Sequence, residues 1–115
     1  MNPRHGDRIL VVTRQWLDLL LTQEKTLEVR GSRIRAGTYY LGCQQKMYAR
    51  IRLGSAFEIM CDKTWRRMKQ QHHVGLERRP YKRTFGLPVH AVEPLDEPVE
   101  YRHPRGAIGI VVYRG

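Results

Sequence analysis

Gln23-Glu24-Lys25-Thr26-Leu27-Glu28-Val29-Arg30-Gly31 decides the fold, because the hydrophobic period changes inside it. Upstream, Trp16, Leu17, Leu20 and Leu21 recur at helical spacing while Arg14, Gln15 and Asp18 lie away from them. This pattern predicts a helix from Arg14 to about Gln23, with Thr13 placed to cap it. From Thr26 to Arg30 the period is two, with Leu27 and Val29 on one face and Thr26, Glu28 and Arg30 on the other, as in a half-buried strand. Glu28 and Arg30 then share a face, and Lys25 at the helix-to-strand turn can swing its ammonium towards them. Spacing alone leaves two meanings open. The three charges form a binding patch, or they form a surface ion-pair ladder in which each pair contributes about 0–1 kcal/mol.

Outward from this stretch, Ile9 to Val12 is an unbroken apolar run suited to a strand buried on both faces. Gly31 and Ser32 break the strand after Lys25, and Thr38 to Leu41 favours another. Met47 to Ile59 predicts a long strand or a bent pair, since Ala49, Ile51 and Leu53 alternate with Tyr48, Arg50 and Arg52, and Gly54 marks a bend. Asp62 is placed to cap a helix from Lys63 to about Gln71, carrying Trp65 and Met68 as its apolar stripe and ended by Gly75. Residues 76–84 read as a loop. Phe85 to Val92 is expected as a strand only at an edge or with an interruption, because Pro88 cannot donate to a ladder, and Pro94, Pro98 and Pro104 as punctuation of a surface path. Ala107 to Tyr113 closes the chain as an apolar strand. Residues 1–115 thus predict a single α+β domain, a small, partly closed β-barrel of about five or six strands flanked by two main helices.

The chain has 115 residues, 21 Lys and Arg against 11 Asp and Glu, and a formal net charge of +10, which favours a polyanionic partner. The longest uncharged apolar run, Gly106 to Tyr113, is far short of the roughly 20 residues of a spanning helix. The polar stretch from Met1 to Arg8 lacks an apolar signal region, so an intracellular, cytoplasmic protein without membrane contact is expected. Cys43 and Cys61 are expected as buried thiols, and the five histidines have no zinc-ligand spacing, so no metal and no cofactor is expected. Residues 62–83 hold eight basic and two acidic side chains together with Trp65 and Tyr81. Basic side chains interleaved with aromatics offer phosphate contacts and stacking platforms, so Arg66, Lys69, Tyr81, Lys82 and Arg83 are candidate nucleic-acid contacts. Glu93, Asp96, Glu97 and Glu100 are expected on a face turned away from the ligand.

The order strand, helix with an early aromatic, turn and Lys-x-x-Glu-x-Arg, here Ile9 to Val12, Trp16, Lys25, Glu28 and Arg30, resembles the ASCH domain family of the PUA-like superfamily, small β-barrels associated with RNA. Thr84-Phe85-Gly86, Glu97 to Tyr101 and Gly106 to Gly109 resemble the family's closing strands. One departure is Gln23, where the family usually has a glycine that adopts a left-handed helix end at little cost.

The resemblance implies a cleft beside the barrel that binds RNA, with DNA or a nucleotide as the other partners it leaves open. In that cleft Lys25 and Arg30 meet phosphate or a polarised carbonyl, Glu28 accepts from a base edge or orients Lys25, and Trp16 stacks or packs beneath as part of the core stripe. Arg33, Arg35 and Tyr40 extend the cleft or are ordinary barrel packing.

An alternative class is a metal-independent hydrolase with Lys25 and Glu28 as its catalytic residues. Some relatives cleave acylated cytidine with Lys, Thr and Glu, but Glu28 stands here where the nucleophile belongs and no acid occurs from Lys63 to Leu76. Other relatives resemble ribonucleases, for which His72 or His73 would be the base and Lys25 the cation that stabilises the phosphorane.

Overall fold

The computed structural model describes residues 2–107 and 109–115. Along the chain run β1 (Arg8–Val11), α1 (Arg14–Leu21), β2 (Leu27–Arg30), β3 (Gly37–Cys43), β4 (Lys46–Leu53), β5 (Phe57–Ile59), α2 (Asp62–Arg67), α3 (Lys69–His72), β6 (Thr84–Glu100) and β7 (Ile110–Val112). The sheet has seven strands, one or two more than predicted, in the order β2-β6-β4-β3-β1-β7, with β5 also on β6. β1 and β3 are parallel and every other pair is antiparallel. Of the predicted N-terminal stretch and closing strand, Met1 and Ile108 lie outside the described residues. No helix among the described residues is long and apolar enough to cross a membrane.

The main correction concerns β6. It is one continuous strand, Thr84–Glu100, that joins both parts of the sheet; residues 84–88 lie between β2 and β5, while the mostly exposed part from Val89 onward has β4 alone and so forms an edge. Its first five residues pair with β2 and β5, and from Val89 onward it pairs with β4. Pro88 sits at this hand-over, where the missing amide costs little, and its carbonyl accepts from Gly54 N–H at 2.8 Å. Pro94 and Pro98 fall at the register shift between Met47 and Ala49, an irregularity that again requires no proline donor. The interruption predicted at Pro88 is therefore a change of partners within a continuous strand.

Alternation elsewhere behaves as predicted. Met47, Ala49, Ile51 and Leu53 of β4 are buried, and β4 ends at Gly54 before the chain bends into β5. In β1, Leu10 enters a core with Leu17 and Leu20 of α1 and with Tyr39, Leu41 and Ile51, while Ile9 enters a second core with Tyr40, Met47, Tyr101 and Val111. One short strand thus feeds both sides, each buried aliphatic side chain contributing about 1.5–3 kcal/mol. A third cluster of Val29, Ile59 and Trp65 lies beneath α2.

The helices are shorter than expected. α1 ends at Leu21; Thr13 occupies its N-cap position without a side-chain capping bond. Gln23 has φ of +64°, the left-handed geometry glycine would adopt more easily. Gln23→Gly is expected to stabilise the protein by about 0.5–1 kcal/mol, a relief partly offset by the entropy of an unfolded glycine. A rise of a few degrees in Tm would register it, and an unchanged or lower Tm would contradict it.

The predicted second helix is two pieces, because Met68 leaves helical geometry (φ −93°, ψ 10°). Cys61, not Asp62, holds the N-cap position, and the Asp62 carboxylate accepts instead from the backbone N–H and Nε of Arg79. The helix stops at His73, which adopts φ of +59°, two residues before Gly75. Cys43 is buried as expected, but Cys61 is exposed.

Candidate functional site

β2 is buried on both faces. Val29 packs into the cluster with Trp65, and Glu28 on the opposite face is only 4% exposed, not half in water as the alternation predicted. α3 packs over β2, and its Gln71 carbonyl accepts from Thr26 N–H at 3.0 Å. Lys25, 1% exposed, extends towards α3, and its ammonium donates to the His72 carbonyl. Its Nζ lies 3.7 Å from Glu28 Oε1 and 4.7 Å from the centre of the Trp16 ring. Arg30 donates to Glu28 Oε2 from Nε (2.9 Å) and Nη2 (2.7 Å). The sequence alternative of a solvated ion-pair ladder is thereby excluded: one buried carboxylate is shared by two cations.

β2 and β1 are not hydrogen-bonded partners, yet the curl of the sheet brings them close enough for Arg30 Nη2 to reach the Val11 carbonyl at 2.8 Å. Beside this seam lies a cleft of about 350 Å³. Its walls are Val11 to Thr13 after β1, Trp16 of α1, Lys25 and Glu28 to Arg30, and Val74, Pro80 and Tyr81 of the loop before β6. Burial pulls the Lys25 pKa below that of an ordinary lysine; the Glu28 charge opposes the shift and Arg30 adds to it.

Trp16 belongs half to the core and half to the cleft, packing against the α1 cluster while presenting its ring to Lys25. Tyr81, 47% exposed, stands on the rim, its ring against Gly31. A second groove, about 640 Å³, adjoins the cleft through Arg30 and contains Arg33 and Arg35. Tyr40 is not part of either space; it points into the second core, and its neighbour Tyr39 on the other face lines the groove.

Other candidates lie outside the cleft. Arg83 pairs with Glu58 at 2.6 Å, Arg66 donates to the Glu77 carbonyl at 3.4 Å, and none of Arg66, Lys69, Lys82 and Arg83 lines the cleft. His72 is fully buried, stacked on Trp65 with ring centres 3.8 Å apart. Its Nδ1 accepts from Val74 N–H and its Nε2 donates to the Trp65 carbonyl, both at 2.9 Å. Burial holds its pKa below the ordinary value, so it is a neutral imidazole without a free nitrogen for a reacting proton. His73 does not line the cleft either. None of Glu93, Asp96, Glu97 and Glu100 borders the cleft or the groove. Thr13, Val74 and Pro80 in the cleft and Arg8 in the groove carried no pattern in sequence that marked them, since long-range curl alone brings them there.

No protein-family model matches the chain, and no curated protein matches it in sequence. Among solved structures, the crystal structure of a serine-to-alanine mutant of ZmASCH from Zymomonas mobilis is similar, with a TM-score of 0.73 over 98% of this chain and 92% of that one. Sequence identity is 10%, so the likeness is one of fold. The protein has an ASCH-like α+β fold.

Proposed function

We propose that the cleft binds RNA by receiving one nucleotide of a single strand. The observation that carries this reading is the meeting, in one cavity, of the Lys25, Glu28 and Arg30 charges with the Trp16 and Tyr81 rings. Aromatic faces accept any base by stacking, and fixed cations accept phosphate or base carbonyls. The volume, about 350 Å³, falls within the roughly 300–1,000 Å³ common for ligand pockets. A net charge of +10 supplies the attraction that gathers a polyanion, and the resemblance of the Lys-x-x-Glu-x-Arg order to a family of RNA-associated barrels favours RNA.

Within this reading the Lys25 ammonium and the Nη1 of Arg30 meet phosphate or base carbonyl oxygens. Glu28 accepts a base N–H at Oε1, because Oε2 is taken by Arg30. Cleavage forms no part of it, since His72 offers no free base. Fluorescence anisotropy with a labelled RNA hexanucleotide tests the reading. Log affinity is expected to fall with log salt by about 0.7 for each phosphate neutralised, and Lys25→Met to weaken binding far more than Arg114→Met. A flat salt response, or equal losses in the two variants, would remove its basis. DNA of the same sequence binding equally well would remove the preference for RNA.

A further inference from the structure

We infer that the groove beside the cleft carries the phosphodiester backbone of the same strand, so that the ligand is an RNA segment and not a free nucleotide. This rests on the cleft holding one nucleotide, and it adds a second site with a different chemistry. Four arginines line the groove, Arg8, Arg30, Arg33 and Arg35, and no carboxylate does. Of the other arginines, Arg79 pairs with Asp62, Arg83 with Glu58, Arg50 with Glu93 and Arg14 with Asp18. Arg30 is paired with Glu28, whereas Arg8, Arg33 and Arg35 have no ion pair among the described residues, so three uncompensated guanidinium groups share one concave space.

Three of the four guanidinium groups are also held in place. Arg8 lies over the Tyr39 ring at 4.3 Å, and the Tyr39 hydroxyl donates to the Arg35 carbonyl at 2.7 Å, fixing the ring under it. Arg33 lies over Phe85 at 4.9 Å and donates to the Ala56 carbonyl at 3.1 Å. Arg30 is fixed by Glu28 and Val11. Arg35 has no side-chain hydrogen bond or ion pair among the described residues. Guanidinium groups seated on aromatic rings lose little freedom when they meet a phosphate, and their planar donors match its oxygens. Because Arg30 borders both spaces, a base in the cleft places its neighbouring phosphate at the entrance of the groove.

The test compares a nucleoside monophosphate, followed by the change in tryptophan fluorescence, with an RNA hexanucleotide, followed by anisotropy. In the Arg8→Gln/Arg35→Gln double variant, hexanucleotide affinity is expected to fall at least tenfold and the salt slope by roughly 1.4, two phosphates at about 0.7 each, with monophosphate binding unchanged. Arg35→Gln alone, at an exposed side chain without partners, is expected to show about half the slope change and guards against misfolding of the double variant. Unchanged affinity and slope, with Lys25→Met still impairing the hexanucleotide, would overturn the groove and leave the cleft. Failure of the wild-type protein to bind either ligand would overturn both.

Discussion

Replacing Glu28 with alanine is expected to lower the unfolding free energy by about 3–5 kcal/mol, the usual loss when one partner of a buried ion pair is removed. Lys25 would keep only the His72 carbonyl and the Trp16 ring, and Arg30 only the Val11 carbonyl. Against a total of roughly 5–15 kcal/mol for a domain, that is a large share. Urea unfolding followed by circular dichroism measures it, and a loss below about 1 kcal/mol would mean that the trio behaves as an exposed ladder. Lys25→Met is expected to cost less, because it leaves Glu28 compensated by Arg30.

Titration of Lys25 separates the two variants further. Its folded pKa is lowered from the ordinary 10.5. Between the lowered value and 10.5 the unfolded chain therefore binds more protons, and stability rises with pH through that window. Comparison with Lys25→Met isolates the term: the alkaline rise is expected to vanish in the variant. An identical pH dependence in the two proteins would show that Lys25 ionises as freely folded as unfolded.

Loss of the aromatic walls is expected to be the largest effect on binding. Base stacking on an aromatic side chain is worth about 1–3 kcal/mol, so Tyr81→Ala and Trp16→Leu should each weaken RNA binding by roughly 5- to 150-fold. Tyr81 is the cleaner probe, since it stands on the rim, half exposed, and its removal leaves the core intact. Trp16→Leu also removes the ring over which Lys25 lies, so its loss should be the greater. Tyr81→Ala with full affinity would leave the rim without a role.

How much of this was legible in the sequence depended on the range of the signal. The strand Ile9 to Val12, the α1 stripe, the alternation of β4 and the bend at Gly54 follow from local periodicity, and all are present. The trio of Lys25, Glu28 and Arg30 was legible for the same reason, as two residues on one strand face and one at the preceding turn. The burial of Glu28 was not, because it depends on contacts distant in sequence: Lys25 is held by the His72 carbonyl, 47 residues on, and Arg30 by the Val11 carbonyl. The prolines of β6 marked the interruption at Pro88 and the edge beyond it but hid the continuity of the strand, since hand-over and edge positions need no donor. Local charge density pointed to residues 62–83, where Arg79 and Arg83 are paired with carboxylates, and gave no sign that Arg8 of β1 and Arg33 and Arg35 of the link between β2 and β3 share one groove.

Photo-crosslinking of a 4-thiouridine-labelled RNA hexanucleotide to the intact protein, with the crosslinked peptides mapped by mass spectrometry, tests the cleft most directly. The account predicts crosslinks at Trp16 and Tyr81 that disappear in Lys25→Met and in high salt. Crosslinks confined to the exposed face of α2 and α3, or unaffected by Lys25→Met, would contradict it.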